Sequence, residues 1–468
     1  MYVKQCLLGL AVLALPWTSA AKSKGKGKGP DSDGKYWISG DGIKAAFIPY
    51  GASISNLLIK DQYGIQRDIV TGFDNASYYG IDTQHPHFGG VPGRYANRIK
   101  NSSFTIDDET YHVTPNDNPT KQSPKGADTL HGGPDGWDYR NFTVVAHTDS
   151  SITFSIVDPD GKEGFPGEVV SYVTYTLTGL DWDIKMVALA TTKKTPIMLS
   201  SHTYWNLDGF SNNDTSSVFN HTFHMPYGGQ RVGVDNILIP TGEILPNKKG
   251  SVNDFWSKPK QIGAQANDPE LKNNCGFNCT GYDTCFTVNR GHLGAYDWRT
   301  EGPVATLSSD WSGIQLDVYS DQDAFQLYSC TQQDGSMALK KTQGLFDNPD
   351  FPRIIPRYGC VVLEVQDFID GINHPEWMRD RKQIFGPGDD PRRGFVAGPR
   401  LCGCGTVRTR DRADPPWGFQ KGAGALNSQL PRAPDIQRQR AERASGRSGR
   451  SGRHGPHQDE TLASESDW

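Results

Sequence analysis

Short runs of alternating apolar and polar residues dominate the sequence. Seven runs place apolar side chains at every second position between turn residues, which is typical of strands with one buried face. They lie at 54–59, 104–106, 152–157, 169–177, 184–189, 314–318 and 361–365. No segment of comparable length has a clean helical period, and 52 Gly and 30 Pro supply many turns. The pattern predicts an all-β fold, a large β-sandwich, in a single domain.

Changes in composition divide the chain into four parts. Residues 22–30 read Lys-Ser-Lys-Gly-Lys-Gly-Lys-Gly-Pro and cannot bury apolar surface. Residues 391–468 contain 11 Phe, Ile, Leu, Val or Trp among 78 positions, a density too low for a core, so we expect disorder there. The predicted parts are a signal peptide at 1–20, a basic flexible linker at 21–35, one β domain at 36–390 and this Arg/Gly/Pro-rich tail at 391–468.

The first twenty residues have the order of a secretory signal peptide. Lys4 precedes an apolar run at 6–17, and small residues follow up to Ala21. The run is too short to span a hydrocarbon core of about 30 Å. We therefore expect cleavage near Ala20 or Ala21 and a secreted, extracellular protein. Six N-x-S/T sequons fit that route, at Asn75, Asn101, Asn141, Asn213, Asn220 and Asn278.

Charge argues against some classes of partner. The chain has a formal charge of −5, although its tail holds 14 Lys and Arg against 8 Asp and Glu. The β domain is therefore more acidic than the whole chain. An acidic domain has no electrostatic attraction to nucleic acid or to an anionic membrane. We therefore predict that the protein binds neither nucleic acid nor a membrane, and that its ligand is neutral.

The cysteines suggest disulfides. Cys6 leaves with the signal peptide, and Cys402 and Cys404 lie in the tail. In an oxidising compartment disulfides are expected rather than zinc, and an odd number in the β domain leaves one thiol unpaired or bonded to the tail. The sequence does not determine the pairing of Cys275, Cys279, Cys285, Cys330 and Cys360.

Four segments concentrate glycine, histidine, arginine and carboxylates beside strand-like runs. They read Gly-Arg-Tyr-Ala-Asn-Arg-Ile at 93–99, Thr-Leu-His-Gly-Gly at 129–133, Ser-His-Thr-Tyr-Trp-Asn-Leu at 201–207 and Leu-Glu-Val-Gln-Asp at 363–367. Together with Gly-Tyr-Asp at 281–283, they resemble, in this order, the signature segments of the aldose 1-epimerase family. The resemblance covers about residues 36–390. It implies a galactose mutarotase-like β-supersandwich, no cofactor and a free monosaccharide substrate such as glucose or galactose.

Glu364 and His202 are the predicted catalytic residues. Glu364 interrupts an apolar run, so by pattern alone it is equally a site residue or an outward-facing strand residue. The family resemblance implies that it is the base at the anomeric hydroxyl. His202, otherwise a structural histidine in an aromatic strand, is implied to be the acid at the ring oxygen.

Five further residues are predicted to bind the sugar. Their matches to family positions imply hydrogen bonds to sugar hydroxyls, and for the second histidine a role in polarising the ring oxygen. The glycines after that histidine allow close backbone approach. These residues are Asn97, Arg98, His131, Asp283 and Gln326.

Two other functions remain open at this point. A glycoside hydrolase would use two carboxylates, for example Glu364 and Asp283, about 5–10 Å apart. A secreted carbohydrate-binding protein of the same fold would keep Arg98 and Asp283 without needing an acid and a base. The presence of both Glu364 and His202 argues against the binding protein.

The chain departs from the family pattern after 385–388, where members continue into an aromatic final strand. The Arg- and Gly-rich tail begins there instead. We interpret this switch as an altered reading frame or a retained intron. If the strand is absent, we expect an open sheet edge near the strand of Glu364.

Overall fold

The computed structural model describes residues 27–82, 84, 87–290, 302–346 and 348–389, together with the backbone of 408–409. All of them fall in one compact unit, Met1–Arg412. The second unit at 413–468, the predicted signal peptide, residues 21–26 of the linker and most of the tail lie outside the described residues. In the described part almost all regular structure is strand, which confirms the all-β prediction. No helix in these ranges is long and apolar enough to cross a membrane.

The first part of the domain contributes two four-stranded antiparallel sheets, in the orders β1-β2-β3-β4 and β12-β11-β10-β9, and two short strand pairs, β5-β8 and β6-β7. The strands are β1 (Tyr36–Ser39), β2 (Ile43–Phe47), β3 (Ile54–Lys60), β4 (Gln66–Asp68), β5 (Arg98–Ile99), β6 (Ser103–Ile106), β7 (Glu109–His112), β8 (Thr129–Leu130), β9 (Thr143–His147), β10 (Ser151–Asp158), β11 (Val169–Thr178) and β12 (Asp181–Ala190).

The second part contributes a six-stranded and a five-stranded sheet. Its strands are β13 (Thr195–Pro196), β14 (Tyr204–Trp205), β15 (Thr222–His224), β16 (Gln230–Val234), β17 (Pro240–Pro246), β18 (Lys260–Gln261), β19 (Asp283–Thr287), β20 (Ala305–Ser308), β21 (Ile314–Val318), β22 (Ala324–Tyr328), β23 (Val361–Gln366), β24 (Ile384–Phe385) and β25 (Arg408–Thr409). The six-stranded order is β14-β23-β22-β19-β16-β17, the five-stranded order is β18-β15-β20-β21-β25, and β13 pairs with β24.

In the described residues, helical structure is limited to single turns. The α-helix α1 covers Asp380–Gln383. The 3-10 turns are Ala76–Tyr78, Lys100–Ser102, Trp137–Tyr139, Lys162–Gly164, Val218–Asn220, Pro269–Leu271, Gly371–Asn373 and Pro375–Trp377.

One contiguous apolar cluster joins the four large sheets. Phe47 of β2 stacks on Tyr175 of β11 with ring centroids 4.3 Å apart. Trp182 of β12 meets Trp205 of β14 at 5.9 Å. Each fully buried large apolar side chain stabilises the fold by roughly 1.5–3 kcal/mol. This shared core holds the six-stranded sheet, which carries the candidate site, rigidly against the rest of the domain.

The seven strands predicted from alternation are confirmed, because each run lies within β3, β6, β10, β11, β12, β21 or β23. Alternate residues of β11 are buried, as predicted for a strand with one core face. The expectation of a half-buried strand is wrong for β23, whose six residues are all buried. The apolar core covers one face of β23, and the other face lies under the candidate site.

The strand that carries Glu364 is not at a sheet edge. It lies between β14 and β22, and beyond β14 the backbone N–H of Thr71 donates to the carbonyl oxygen of Tyr204. The open edge expected near Glu364 is therefore wrong for the described residues. The β21 edge of the five-stranded sheet is paired in turn with the backbone of β25. Residues from the tail thus add a strand to the sandwich at a place away from Glu364.

Two disulfides form among the described cysteines. Cys275 bonds to Cys279, and Cys330 bonds to Cys360. Cys285 is a buried free thiol. The odd cysteine expected from the sequence is therefore Cys285, and it lies inside β19.

Candidate active site

The site is built on one face of the six-stranded sheet. In antiparallel sheets, residues directly opposite one another point to the same face. Gln326 of β22 lies opposite Glu364 of β23, and Asp283 of β19 lies opposite Tyr328 of β22. Tyr204 of β14 lies opposite Val362, two residues before Glu364. Residues from four neighbouring strands therefore converge on one patch.

His202 reaches Glu364 from the segment just before β14. The Nε2 atom of His202 lies 3.5 Å from Oε1 of Glu364, and both side chains are more than 90% buried. Trp205, on the opposite face of β14, packs in the core. The two predicted catalytic residues are therefore neighbours, whereas Trp205 is a core residue.

His131 is held by the backbone of Asn97. The backbone N–H of Asn97 donates to Nδ1 of His131 over 3.1 Å, and the backbone N–H of His131 donates to the carbonyl oxygen of Asn97 over 3.0 Å. Both residues have left-handed backbone angles, with φ of 61° and 52°. At Gly132 a Cβ atom would lie 2.1 Å from the carbonyl oxygen of Gly93. The close backbone approach predicted for these glycines is confirmed.

Arg98 sits among carboxylates. Its Nε donates to Oδ2 of Asp117 over 2.8 Å. Burial disfavours the guanidinium charge, but Asp117, Asp283 and Glu364 outweigh burial and raise the pKa of Arg98. Arg98 is therefore a fixed cation at the cavity wall, with hydrogen-bond donors beyond the one given to Asp117.

Gln326 supports Asp283. Its Nε2 donates to Oδ1 of Asp283 over 2.5 Å. Burial raises the pKa of Asp283, and Arg98 together with this hydrogen bond opposes the increase. Gln326 is not among the residues that line the cavity. The structure thus places this predicted sugar-binding residue behind Asp283.

These side chains surround a cavity of about 470 Å³, a volume suited to a monosaccharide. A larger groove of about 810 Å³ near α1 contains none of the predicted site residues. The smaller cavity is the candidate site because the histidines and carboxylates converge there. Its walls are formed by Gln84, His87, Asn97, Arg98, Asp117, Leu130, His131, His202, Tyr204, Asp283, Tyr328, Gln332, Gln333, Asp334, Met337 and Glu364.

Burial changes the protonation of the central pair. It raises the pKa of Glu364 well above the ordinary 4.5, Asp283 adds to the increase, and Arg98 opposes it. Burial lowers the pKa of His202 well below 6.5, and a charge on His87 lowers it further. Burial of the pair therefore favours a protonated Glu364 beside a neutral His202.

His131, His202 and Glu364 also resemble a metal site, because one ligand atom of each lies within 4.8 Å of the others. Two histidines and a carboxylate suit several divalent ions. However, Nδ1 of His131 accepts the Asn97 N–H, so the neutral ring carries its proton on Nε2. That nitrogen would have to lose its proton before binding a cation. The cluster therefore fits hydrogen bonding and proton transfer rather than metal binding.

Sequence reasoning missed His87 and Asp117, both of which line the cavity. A signal for His87 was present, since it lies six residues before the family segment at 93–99. Asp117 lies in a polar loop without a distinctive motif. Arg94, in the same segment as Arg98, bonds to Asp158 away from the cavity.

Comparison with known proteins identifies the family. The family model for aldose 1-epimerase matches residues 35–388. A probable aldose 1-epimerase from Arthroderma benhamiae is 40% identical over 382 residues, which cover 76% of this chain and 83% of that protein. The chain belongs to the aldose 1-epimerase family. It is an isomerase, and its function is the interconversion of the α and β anomers of a free sugar.

More distant members agree with this assignment. The galactose mutarotase of Sus scrofa is 31% identical over 343 residues, covering 73% of this chain and 88% of that protein. The crystal structure of an aldose epimerase homologue from C. elegans has a TM-score of 0.62 and 26% identity, covering 76% of this chain and 95% of that chain. The β-supersandwich prediction is confirmed, and neither the hydrolase nor the binding-protein alternative is favoured.

The contact between Gln326 and Asp283 gives a testable prediction for this epimerase. Gln326→Leu removes the donor to the Asp283 carboxylate without changing a cavity-lining residue. We expect KM for the sugar to rise about tenfold with a smaller change in kcat, because a lost hydrogen bond to a charged group costs roughly 1.5–3 kcal/mol.

The matched control is Gln315→Leu. Gln315 also donates to a carboxylate, Asp317, but on β21. Steady-state kinetics followed by polarimetry should show near-normal KM for this control. An unchanged KM in Gln326→Leu would mean that Asp283 needs no such support.

Proposed function

We propose that Glu364 and His202 open and reclose the sugar ring by proton transfer. Glu364 acts at the anomeric hydroxyl and His202 at the ring oxygen. The observation that carries the proposal is their 3.5 Å separation on one cavity wall. Both reacting oxygens are bonded to the same sugar carbon, so an acid and a base that serve them must be close neighbours.

The cycle conserves protons. The Glu364 carboxylate takes the proton of the anomeric hydroxyl, the bond between C1 and the ring oxygen breaks, and the ring oxygen takes a proton from His202. Rotation about the C1–C2 bond in the open aldehyde exposes its other face. The ring oxygen then attacks C1, His202 takes back its proton, and Glu364 returns the other to the anomeric oxygen.

The two side chains share one proton in every state of this cycle. With a closed sugar, His202 carries it, and with the open aldehyde, Glu364 carries it. The pKa directions favour the second distribution. The closed sugar is therefore bound by the less favoured distribution, in which Glu364 is ionised and His202 is protonated.

The other predicted residues hold the sugar. His131 donates from Nε2 towards the ring oxygen, since Asn97 occupies its Nδ1. Arg98 donates to hydroxyls, and Asp283 accepts from them. Asn97 contributes through its backbone contact with His131, and Gln326 through Asp283. The substrate is a free aldose such as galactose or glucose, a choice supported by the similarity to a galactose mutarotase.

We also propose that the enzyme is secreted and N-glycosylated. The signal-like residues 1–20 support the first statement. Two disulfides among the described residues fit an oxidising compartment. Five sequon asparagines have exposed side chains, and Asn220 is partly buried. The exposed sites are Asn75, Asn101, Asn141, Asn213 and Asn278.

Replacing the proposed base should abolish catalysis. Glu364→Gln keeps the size of the side chain but cannot accept the anomeric proton, so we expect kcat/KM to fall by roughly 10²–10⁴. Polarimetry of freshly dissolved α-galactose or α-glucose measures the rate. Glu376→Gln, at an exposed glutamate, is the control. Near-normal activity of a folded Glu364→Gln variant would exclude Glu364 as the base.

The pH profile tests the shared proton. We expect a bell-shaped kcat/KM, since activity is lost when the pair gains a second proton or loses its only one. The acidic limb should lie below 6.5, because burial lowers the pKa of His202, and the alkaline limb should lie well above 4.5, because burial raises that of Glu364. The spontaneous rate is subtracted at each pH. An acidic limb at or above 6.5 would contradict the assignment of His202.

Secretion can be tested on the native protein. Mass spectrometry of the culture medium should find an amino terminus beside Ala20 or Ala21 and glycans that peptide N-glycosidase removes. Asn75→Gln should eliminate one of them. An intracellular protein that retains Met1 and carries no glycan would overturn this proposal.

A further inference from the structure

A third histidine completes an aromatic cluster in the active site. The ring of His87 lies 4.8 Å from that of His131 and 5.3 Å from that of His202, measured between centroids. The rings of His131 and His202 are 5.1 Å apart. Each histidine therefore contacts the other two, and His87 forms the side of the group away from Glu364.

His87 is anchored from behind. Its Nδ1 is hydrogen bonded to the buried carboxylate of Asp138. The hydroxyl of Tyr139 lies 2.9 Å from Nε2 of the same ring. Asp138 and Tyr139 belong to the same 3-10 turn, Trp137–Tyr139. Because both ring nitrogens of His87 are bonded to protein, the cavity receives its ring carbons rather than a polar atom for the sugar.

The backbone just after His87 is hydrogen bonded to the backbone of His202. The N–H of Gly89 donates to the carbonyl oxygen of His202 over 3.0 Å. The N–H of His202 donates to the carbonyl oxygen of Gly90 over 2.9 Å. Gly89 has a φ of 66°, and a Cβ there would lie 2.1 Å from the carbonyl oxygen of Ile54. The two histidines are therefore fixed relative to each other by main-chain contacts that require glycine.

We propose that His87 is a positioning residue of the epimerase site, which fixes the His131 and His202 rings and opposes a second positive charge among the three. The proposal rests on His202 acting as the acid. While His87 is protonated on its bond to Asp138, protonated His202 is a stronger acid. A stronger acid transfers its proton more readily to the weakly basic ring oxygen of the sugar.

The charged and titratable groups around the cluster are consistent with this role. Charge on His87 lowers the pKa of both His131 and His202, after burial. Asp138 balances His87, whereas Arg98 lies on the His131 side. The groups that face the three rings are Tyr50, Arg98, Asp138, Tyr139, Tyr204, Asp283 and Glu364.

The test is the pH profile of His87→Phe, which keeps an aromatic ring and cannot be charged. We expect the acidic limb of kcat/KM to move to higher pH by about one unit, with KM nearly unchanged. Activity on the acidic side of the limb should then fall about tenfold. His112→Phe, at an exposed histidine on β7, should leave the profile unchanged.

His87→Gln separates charge from hydrogen bonding. Glutamine can still donate to Asp138 but never carries a charge, so the limb should stay displaced while KM stays near normal. It also provides the same test if His87→Phe does not fold. A raised KM with an unmoved limb would make His87 a sugar contact, and an unchanged profile would make it structural. Either result overturns the proposal.

A measurement without substrate distinguishes this proposal from the proposed reaction. Imidazole ¹⁵N NMR of the sugar-free protein follows the titration of His202 directly. Its pKa should rise in both His87 variants and stay constant in His112→Phe; a constant value in all three overturns the proposal. If the parent chain did not accelerate mutarotation, the proposed reaction would fail, and the NMR titration would still report the coupling.

Discussion

Glu364 occupies a strand in which all six residues are buried. An isolated ionised carboxylate in such a place is destabilising by several kcal/mol, so the group stays neutral or acquires partners. The side chain is only 3% exposed. The arrangement of the charged groups around Glu364 follows from this burial. The exclusion of water that destabilises the charge also makes proton transfer to and from a bound sugar effective. Arg98 supplies a compensating positive charge nearby, and His202 supplies a partner that can take the proton.

The charges around Glu364 are arranged in two groups. On one side, Arg98 lies between Asp117 and Asp283, and its fixed cation opposes the increase in the pKa of Asp283 that burial causes. On the other side, the rings of three histidines lie in contact, and the Asp138 carboxylate lies behind His87. The cavity therefore has a fixed cation and carboxylates on one side and titratable histidines on the other.

Rigid backbone contacts maintain this arrangement. Asn97 and His131 exchange two hydrogen bonds through left-handed backbone conformations, and the segment before β14 is paired with the glycines that follow His87. Left-handed conformations are unfavourable for most side chains and persist where the surrounding structure imposes them. Here the imposed geometry places hydrogen-bond donors before the sugar arrives, so that little reorganisation is needed during the reaction.

The sequence by itself determined the strands and the family. Alternating burial is a local property of each strand, so β11 and its counterparts could be read from period-two patterns. Glu364, His202 and His131 were found because they lie in contiguous segments with a recognisable resemblance. Tertiary structure decided what depends on pairing between distant segments: the burial of β23 on both faces, the supporting position of Gln326, the disulfide partners and the packing of His87 against His202. These relations depend on strand register and on backbone contacts across the sandwich, which no local pattern of residues encodes.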